Sequence, residues 1–316
     1  LNRVIGQNPS QILGQLISNG QVFLINPNGI LFGAGSVINT QGLIASTLNI
    51  SNQDFLSGNY HFIAGSKAGN IFNEGVIRTG KDGNIVLIAP DIENNGIIQT
   101  DGGKIVLAAG QELTLTSLDD PHIRFQVQSP DNEVLNLGQV LTNGGAIDLF
   151  TGTLTHSGEF TTSNLTLDAA GNISINAQAD ITLTETSITS ANNNYGDAGE
   201  IIIESQTGTS LVSGQVNATS EKTTGGSIQV LGEHVGIIDQ ANIDTSGQTG
   251  GGEILIGGDY QGNNADIQNA QATYIGKDTL IQANAINNGD GSKVIVWSDD
   301  ATRMYGQIEA KGGRLS

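Results

Sequence analysis

Short apolar segments, separated by small polar corners, recur along most of the chain. Each contains four to six mainly aliphatic residues and follows a glycine or a small polar residue, at 84–89, 104–109, 146–150, 172–175, 200–205, 227–231, 253–257 and 293–297. β-Branched residues are common in these segments, and no stretch of about eleven residues has helical apolar spacing without a glycine interruption. The pattern predicts many short β-strands and almost no α-helix.

The segments recur at a regular interval, which predicts how the strands are arranged. Isoleucines occupy equivalent places at Ile85 and Ile105, and again at Ile147, Ile173, Ile201, Ile228 and Ile254. Each interval holds further short strands and turn residues, as in the segments ADITLTE and SITS. A unit of this content that repeats every 20 to 28 positions or so is typical of one coil of a solenoid.

Two neighbouring coils have nearly the same sequence. EGVIRTGKDGNIVLIA at 74–89 and NGIIQTDGGKIVLAA at 95–109 differ mainly by one residue in the corner, so we expect them to stack in register. Two stretches interrupt the repeat. We expect an irregular coil or an extra-helical hairpin at 117–140, and either one long coil with a loop or two short coils at 258–284.

The most informative corner lies between two apolar runs, Val22–Ile25 and Ile30–Phe32. Its residues, Asn26-Pro27-Asn28-Gly29, are typical of a β-turn. Proline presets the φ angle that the second turn position needs, asparagine bonds its own backbone or tolerates positive φ, and glycine closes the turn without a steric clash. The sequence therefore predicts two strands that meet at a tight corner.

Together with its flanks, this corner resembles a known family. NRVIGQNPSQILGQLISNGQ at 2–21 and VINTQGLIAST at 37–47, on either side of Asn-Pro-Asn-Gly-Ile, are similar to the secretion domain of two-partner secretion exoproteins, the filamentous-haemagglutinin-like family. The resemblance implies a right-handed parallel β-helix and an outer-membrane transporter partner with periplasmic recognition domains. It also implies a secretion and folding motif at Asn26, Pro27, Asn28, Gly29 and Ile30.

The resemblance also suggests how the chain is divided. Residues 1–110 are expected to be the C-terminal part of the secretion domain, and residues 111–316 to continue the coils of the exoprotein stalk. The family usually carries a shorter Asn-Pro-Asn motif and a long signal peptide upstream, and the chain opens at Leu1 without them. We therefore expect a fragment without its N-terminal part.

Composition excludes several classes of function. Lys and Arg number 12 against 31 Asp and Glu, a net charge of −19, so nucleic acid and anionic membranes would be repelled. The chain has no cysteine, which excludes thiol catalysis, disulfides and cysteine zinc sites, and fits passage through an oxidising compartment. No run approaches the ~20 apolar residues of a transmembrane helix.

Parallel β-helices include polysaccharide lyases and hydrolases, so the acidic clusters of the chain are candidate active sites. The paired acids are Asp119-Asp120 and Asp299-Asp300, with Arg303 close to the second pair. Solvated, ion-paired corners explain them better than an active site does. Four scattered histidines, His61, His122, His156 and His234, lack the close spacing of a zinc site. The single Gly-Asp-Gly-Ser at 289–292 lacks the period of a calcium-binding repeat.

We therefore predict an all-β chain, a right-handed single-stranded parallel β-helix (solenoid) with small extra-helical hairpins or loops. Its predicted function is that of a non-catalytic exoprotein or adhesin, without catalytic residues, metal or cofactor, outside or on the surface of a Gram-negative-type bacterium. It would travel via the periplasm. The alternative is a polysaccharide-active β-helix enzyme. A third interpretation is a binding module, adhesin or haem-protein scavenger, with host or neighbouring-cell surface glycans or proteins contacting loops near 117–140 or 258–284.

Overall fold

The computed structural model describes residues 1–121, 123–127, 131–163 and 170–314, with only the backbone for 124–127. Within these ranges the regular structure is β-strand, apart from an α-helix at Asn52–Ser57 and a 3₁₀-helix at Tyr260–Gly262. No helix in the described part is long and apolar enough to span a membrane. The chain forms two compact units, Leu1–Thr153 and Leu154–Ser316.

The first unit is a parallel β-helix with three sheets, which we call A, B and C. Sheet A contains Asn2–Arg3, Gln21–Ile25, Gly42–Ser46, Ile85–Ala89, Lys104–Ala109 and Ala146–Thr151. Sheet B contains Ser10–Ile12, Ile30–Phe32, Ile71–Asn73, Ile92–Asn94 and Glu133–Asn136. Sheet C contains Gln15–Ile17, Val37–Thr40, Val76–Lys81, Ile97–Asp101 and Gln139–Thr142.

The second unit has the same design, and its sheets are also called A, B and C. Sheet A contains Ile173–Ala177, Glu200–Ser205, Ser227–Leu231, Glu253–Ile256 and Val294–Val296. Sheet B contains Thr153–His156, Ile181–Leu183, Thr209–Val212, His234–Ile237, Ala272–Ile275 and Ala301–Met304. Sheet C contains Glu159–Thr161, Ile188–Ser190, Gln215–Asn217, Asn242–Asp244, Leu280–Gln282 and Gln307–Glu309. The predicted parallel β-helix is confirmed.

The isoleucine period corresponds to stacked core positions. Ile85 pairs with Ile105, and Ile105 with Ile147, in sheet A of the first unit. In the second unit the stacked residues are Ile173, Ile201, Ile228 and Ile254, all fully or almost fully buried. The two coils of similar sequence stack in register as expected, and the additional corner residue lies where the pairing shifts between Arg78 and Lys81.

Glycines that precede the sheet A strands form columns in which adjacent backbones nearly touch. A Cβ added to Gly103 would lie 2.0 Å from the carbonyl oxygen of Gly83, and one added to Gly145 would lie 1.9 Å from that of Gly103. The second unit repeats the arrangement, with 1.9 Å from a Cβ on Gly226 to the carbonyl oxygen of Gly199. Any side chain here would push one coil away from the next, which explains why glycine introduces most strands.

We expect Gly103→Ala to lower the free energy of unfolding by about 3 kcal/mol, the upper range for overpacking a well-packed interior. The added methyl group would meet backbone atoms of Gly83, which cannot move without shifting a whole coil. Urea denaturation followed by circular dichroism measures the loss. Gly14→Ala is the matched control, because a Cβ there meets nothing within 4 Å, and an equal loss in both variants would contradict the stacking argument.

A buried asparagine ladder closes the corner between sheets B and C of the first unit. Nδ2 of Asn73 donates to Oδ1 of Asn94 at 2.7 Å, and Nδ2 of Asn94 donates to Oδ1 of Asn136, also at 2.7 Å. Each of the three is the last residue of its strand and fully buried. Successive coils are thus joined through side chains as well as through the backbone.

An extra-helical cap covers the outer face of sheet A in the first unit. It consists of the helix Asn52–Ser57 and an antiparallel sheet of Tyr60–Ile63, Glu112–Leu115 and Ile123–Val127. Its apolar side chains pack on the outward residues of sheet A, and Phe23 meets Phe55 edge-on at 5.1 Å between ring centroids. Strand Ile85–Ala89 is therefore buried on both faces, which explains its continuous apolar sequence.

The structure resolves the two stretches that interrupt the repeat. Within 117–140, strand Ile123–Val127 forms the expected extra-helical hairpin with Glu112–Leu115, whereas Glu133–Asn136 and the strand from Gln139 return to sheets B and C. His122 and residues 128–130 lie outside the described residues. Within 258–284 there is one long coil with a loop, because Ile254 pairs with Val294 and one strand each of sheets B and C lies between them.

Candidate functional site

The Asn-Pro-Asn-Gly-Ile corner connects sheet A to sheet B at strands Gln21–Ile25 and Ile30–Phe32. The backbone N–H of Gly29 donates to the carbonyl of Asn26 at 3.1 Å, which closes a four-residue turn. Asn26 Oδ1 accepts the backbone N–H of Asn28 at 3.0 Å, and Gly29 has φ of 115°, a conformation that glycine adopts without strain. The predicted turn is confirmed, and its chemistry is the one expected of these residue types.

Asn26 also bonds to the coil that precedes it. Its side chain is fully buried, and Nδ2 donates to the carbonyl of Asn8 at 3.1 Å and to Oγ of Ser10 at 2.9 Å. The backbone N–H of Ser10 donates to the carbonyl of Gly29 at 3.0 Å. Nδ2 of Asn28 reaches the carbonyl of Gly6 at 2.9 Å. The corner is therefore tied to residues 6–10 by side-chain and backbone bonds.

The next coil contacts the other side of the corner. The backbone N–H of Gly69 donates to the carbonyl of Pro27 at 2.8 Å, and that of Ile30 donates to the carbonyl of Asn70 at 3.1 Å. A Cβ added to Gly69 would lie 2.6 Å from the carbonyl carbon and oxygen of Asn28. The corner is thus held between two neighbouring turns, and the polypeptide at 69 has no room for a side chain.

The accessible part of the corner is small. Asn26, Gly29 and Ile30 are buried, while Pro27 and Asn28 are half-buried. None of the five side chains is titratable, so the corner cannot perform acid–base or nucleophilic chemistry. What the arrangement provides is a hydrogen-bonded joint between consecutive coils.

Sequence reasoning missed the partners of the motif, namely Asn8, Ser10, Gly69 and Asn70. One signal was available, because the Asn-Pro pair of the corner also occurs one coil earlier at Asn8-Pro9. The repeat of this pair predicts a stacked corner. Nothing in the sequence around Gly69 distinguishes it from the other glycines of the chain.

The acidic pairs considered for an enzyme do not form a catalytic constellation. The carbonyl of Asp119 accepts Nδ2 of Asn84 at 2.8 Å, and Asp120 lies 3.7 Å from Nζ of Lys104. Asp299 accepts the indole N–H of Trp297 at 3.0 Å. In the described ranges, no three His, Asp or Glu side chains converge as metal ligands.

The histidines, and the carboxyl groups whose pKa is shifted, also argue against a catalytic site. His61 contacts Glu112 at 2.9 Å in the cap, and His156 is buried and stacked on Phe160 at 3.9 Å. Hydrogen bonds from Ser51, from the Tyr260 backbone and from Lys311 lower the pKa of Asp54, Asp259 and Glu309, respectively. A lowered pKa keeps a carboxyl group charged, whereas a general acid needs a raised one.

Comparison with known proteins identifies the family. The model of the TPS secretion domain matches residues 1–146. A heme/hemopexin-binding protein of Haemophilus influenzae is 39% identical over 146 residues, 44% of this chain and 16% of that protein. The tRNA nuclease CdiA-2 of Burkholderia pseudomallei is 25% identical over 229 residues, 69% of this chain and 7% of that protein. The chain thus spans less than a fifth of either relative.

A solved structure extends the similarity over nearly the whole chain. The crystal structure of the HMW1 secretion domain from Haemophilus influenzae matches with a TM-score of 0.79 and 34% identity, over 99% of this chain and 76% of that one. This agrees with the parallel β-helix and with the resemblance that the corner and its flanks carry. The chain therefore belongs to the two-partner secretion (TPS) domain family of exoproteins.

Proposed function

We propose that the chain is the secretion domain and first stalk coils of a non-catalytic adhesin. An outer-membrane transporter partner would export it through the periplasm, by way of periplasmic recognition domains, to the surface or surroundings of a Gram-negative-type cell. Membership of the TPS family supports a transporter partner. The observation that carries the proposal is the Asn-Pro-Asn-Gly corner, which bonds to the coil before it and to the coil after it.

The corner's proposed role is in folding during export. Asn26, Pro27, Asn28, Gly29 and Ile30 would fix the second coil on the first and provide the surface on which the third coil docks. In a solenoid each repeat contacts only its neighbours, so folding can proceed from one coil to the next. A chain that emerges N-terminus first and folds in this order would resist sliding back without a source of chemical energy.

We further propose that residues 1–110 are the C-terminal part of the secretion domain and that residues 111–316 continue the stalk. A truncation series would locate the boundary. Strand Glu112–Leu115 pairs with Tyr60–Ile63 in the cap, so a truncated chain must extend past 127 to retain that sheet. We therefore choose a fragment that ends at Thr153, the end of the first compact unit, and expect it to be exported like the whole chain.

The enzyme alternative is less well supported. The carboxylates of Asp120 and Asp299 contact Lys104 and the indole N–H of Trp297, and the family that matches is one of secretion domains. Surface ligands such as host or neighbouring-cell glycans or proteins remain the proposed partners. Nucleic acid is not among them, because the net charge of −19 would repel it.

Export is tested by producing the chain, behind a periplasmic signal peptide, in cells with and without a co-expressed TPS transporter. We expect the chain outside the cell only when a matched transporter is present, while the total amount synthesised is unchanged. A transporter with a disabled pore is the control for leakage. Equal release with and without the transporter, or retention in the periplasm despite a matched one, would refute the proposal.

A further inference from the structure

The outer face of sheet B in the second unit carries a groove of about 360 Å³. Its centre is a row of outward residues that are neighbours in register, Leu211, Gly236, Tyr274 and Arg303. Gly236 has no side chain, and the side chain of Leu211 leans over it, because a Cβ added to Gly236 would lie 2.8 Å from Leu211 Cδ1. The volume lies within the roughly 300–1,000 Å³ typical of small-molecule sites.

The groove differs in charge from the rest of the chain. Its lining contains Arg303 and His234 but no Asp or Glu, although the chain carries 31 acids against 12 Lys and Arg. The side chains of Arg303 and His234 make no hydrogen bond or ion pair with any described residue. Arginine presents a planar fork of donors that matches a carboxylate. The free guanidinium in an acid-free lining therefore favours an anionic ligand.

Carboxylates at the margin are already engaged. Asp180 accepts the backbone N–H of Thr209 at 2.8 Å, and Glu233 accepts Nε2 of Gln271 at 3.0 Å. These bonds hold both acids to the rim. Neither carboxylate lines the groove or forms an ion pair with Arg303, so the guanidinium remains available to a ligand.

Tyr274 lines the groove, and Tyr305 lies beside it. Tyr274 and Tyr305 have ring centroids 5.8 Å apart, and the two residues are 43% and 60% exposed. Tyrosine offers a flat apolar face together with a polar hydroxyl, which suits ligands that are apolar on one side and polar at the edge. Thr209 and His234 add hydrogen-bonding groups on the opposite side.

We propose that this groove binds an acidic saccharide. The sugar carboxylate would pair with Arg303, the C–H face of the ring would pack on Tyr274, and hydroxyls would bond to Thr209 and His234. A saccharide fits better than a fatty acid or an acidic peptide, because one carboxylate, a flat apolar face and peripheral hydroxyls match the distribution of groups in the groove. The proposal rests on the adhesin role and gives its ligand a chemical class.

Isothermal titration calorimetry on the purified chain tests the site. The probes are trigalacturonate and sialyllactose, with uncharged maltotriose and lactose as their counterparts. We expect an acidic probe to bind at least tenfold more tightly than its neutral counterpart. Arg303→Gln should weaken binding about tenfold, the equivalent of one charge-assisted hydrogen bond. Gly236→Val, whose side chain would displace Leu211 and narrow the groove, should also weaken binding at least tenfold.

Two matched variants separate the site from a general charge or aromatic effect. Arg78→Gln removes an exposed arginine from sheet C of the first unit, and Phe72→Ala removes an outward aromatic of 41% exposure from sheet B of that unit. Both should bind like the parent chain. Circular dichroism confirms that each variant is folded.

The result that overturns the proposal is equally specific. The proposal fails if no acidic probe binds up to millimolar concentration, if neutral sugars or polyglutamate bind equally well, or if Arg303→Gln and Arg78→Gln have the same effect on binding. The measurement uses purified protein and is independent of export. If the chain binds no acidic sugar but its release depends on the transporter, the saccharide site alone is refuted. If the chain binds an acidic sugar but its release does not depend on the transporter, the export proposal alone is refuted.

Discussion

Replacement of Asn26 by isoleucine is expected to lower the free energy of unfolding by about 3 kcal/mol, because the fully buried Asn26 side chain gives up three hydrogen bonds to its neighbours, each worth about 0.5–1.5 kcal/mol. The backbone N–H of Asn28 would lose its acceptor, and the carbonyl of Asn8 and the hydroxyl of Ser10 would lose their donor. The added apolar side chain can replace none of these bonds. Urea denaturation of the purified variant, followed by circular dichroism, measures the change.

The control for this substitution is Asn95→Ile. Asn95 is also a corner residue, but it is exposed and its side chain bonds to Glu93 on the surface. We expect a change within about 0.5 kcal/mol, as for most surface substitutions. Asn28→Ile should lie between the two, since Asn28 is half-buried and donates to Gly6 and Asn26. A loss for Asn26→Ile no greater than that of the control would show that the corner is not a joint.

Asn94→Leu is expected to lower the free energy of unfolding by about 2–5 kcal/mol, because it leaves buried polar groups unpaired. Leucine has a similar size, so the loss reflects hydrogen bonding more than volume. Nδ2 of Asn73 would lose its acceptor, and Oδ1 of Asn136 would lose its donor, both in a fully buried environment. The same urea titration tests this second large effect.

Asn143→Leu is the control for the ladder. This asparagine is exposed and bonds to Asp101 at the surface, so its replacement should leave the denaturation midpoint almost unchanged. The double variant Asn94→Leu with Asn73→Leu should cost less than the sum of the single ones, because the second change removes a donor that the first leaves unpaired. If the double variant lost the sum of the two single losses in free energy of unfolding, the asparagines would not form a coupled ladder.

The sequence contains enough information to predict the repeating part of the fold. Isoleucines such as Ile201 and Ile228 recur because each coil places one residue at the same buried position, and a periodic pattern reports that directly. The turn at Asn26 was predictable for a related reason, since its residues have strong local preferences. The regular spacing of the isoleucines therefore explains the coils, and the local preferences of the turn residues explain the corner.

The cap and the asparagine ladder could not be predicted in the same way. The cap pairs Tyr60–Ile63 with Glu112–Leu115, segments that lie far apart in the chain and share no repeat. The continuous apolar run at Ile85–Ala89 hinted at burial on two faces without indicating what covers the second. Asparagine at the end of a strand normally indicates a turn, so Asn94 gave no sign that its side chain bonds to the coils on both sides.

The central claim is that the corner at Asn26 makes export possible by joining consecutive coils. The most direct test is the secreted fraction of the parent chain, Asn26→Ile and Asn95→Ile in cells that carry a matched transporter. The account predicts secretion of the parent and of Asn95→Ile, and loss of at least nine-tenths of secretion for Asn26→Ile at equal synthesis. Undiminished secretion of Asn26→Ile, together with its reduced stability in urea, would contradict it.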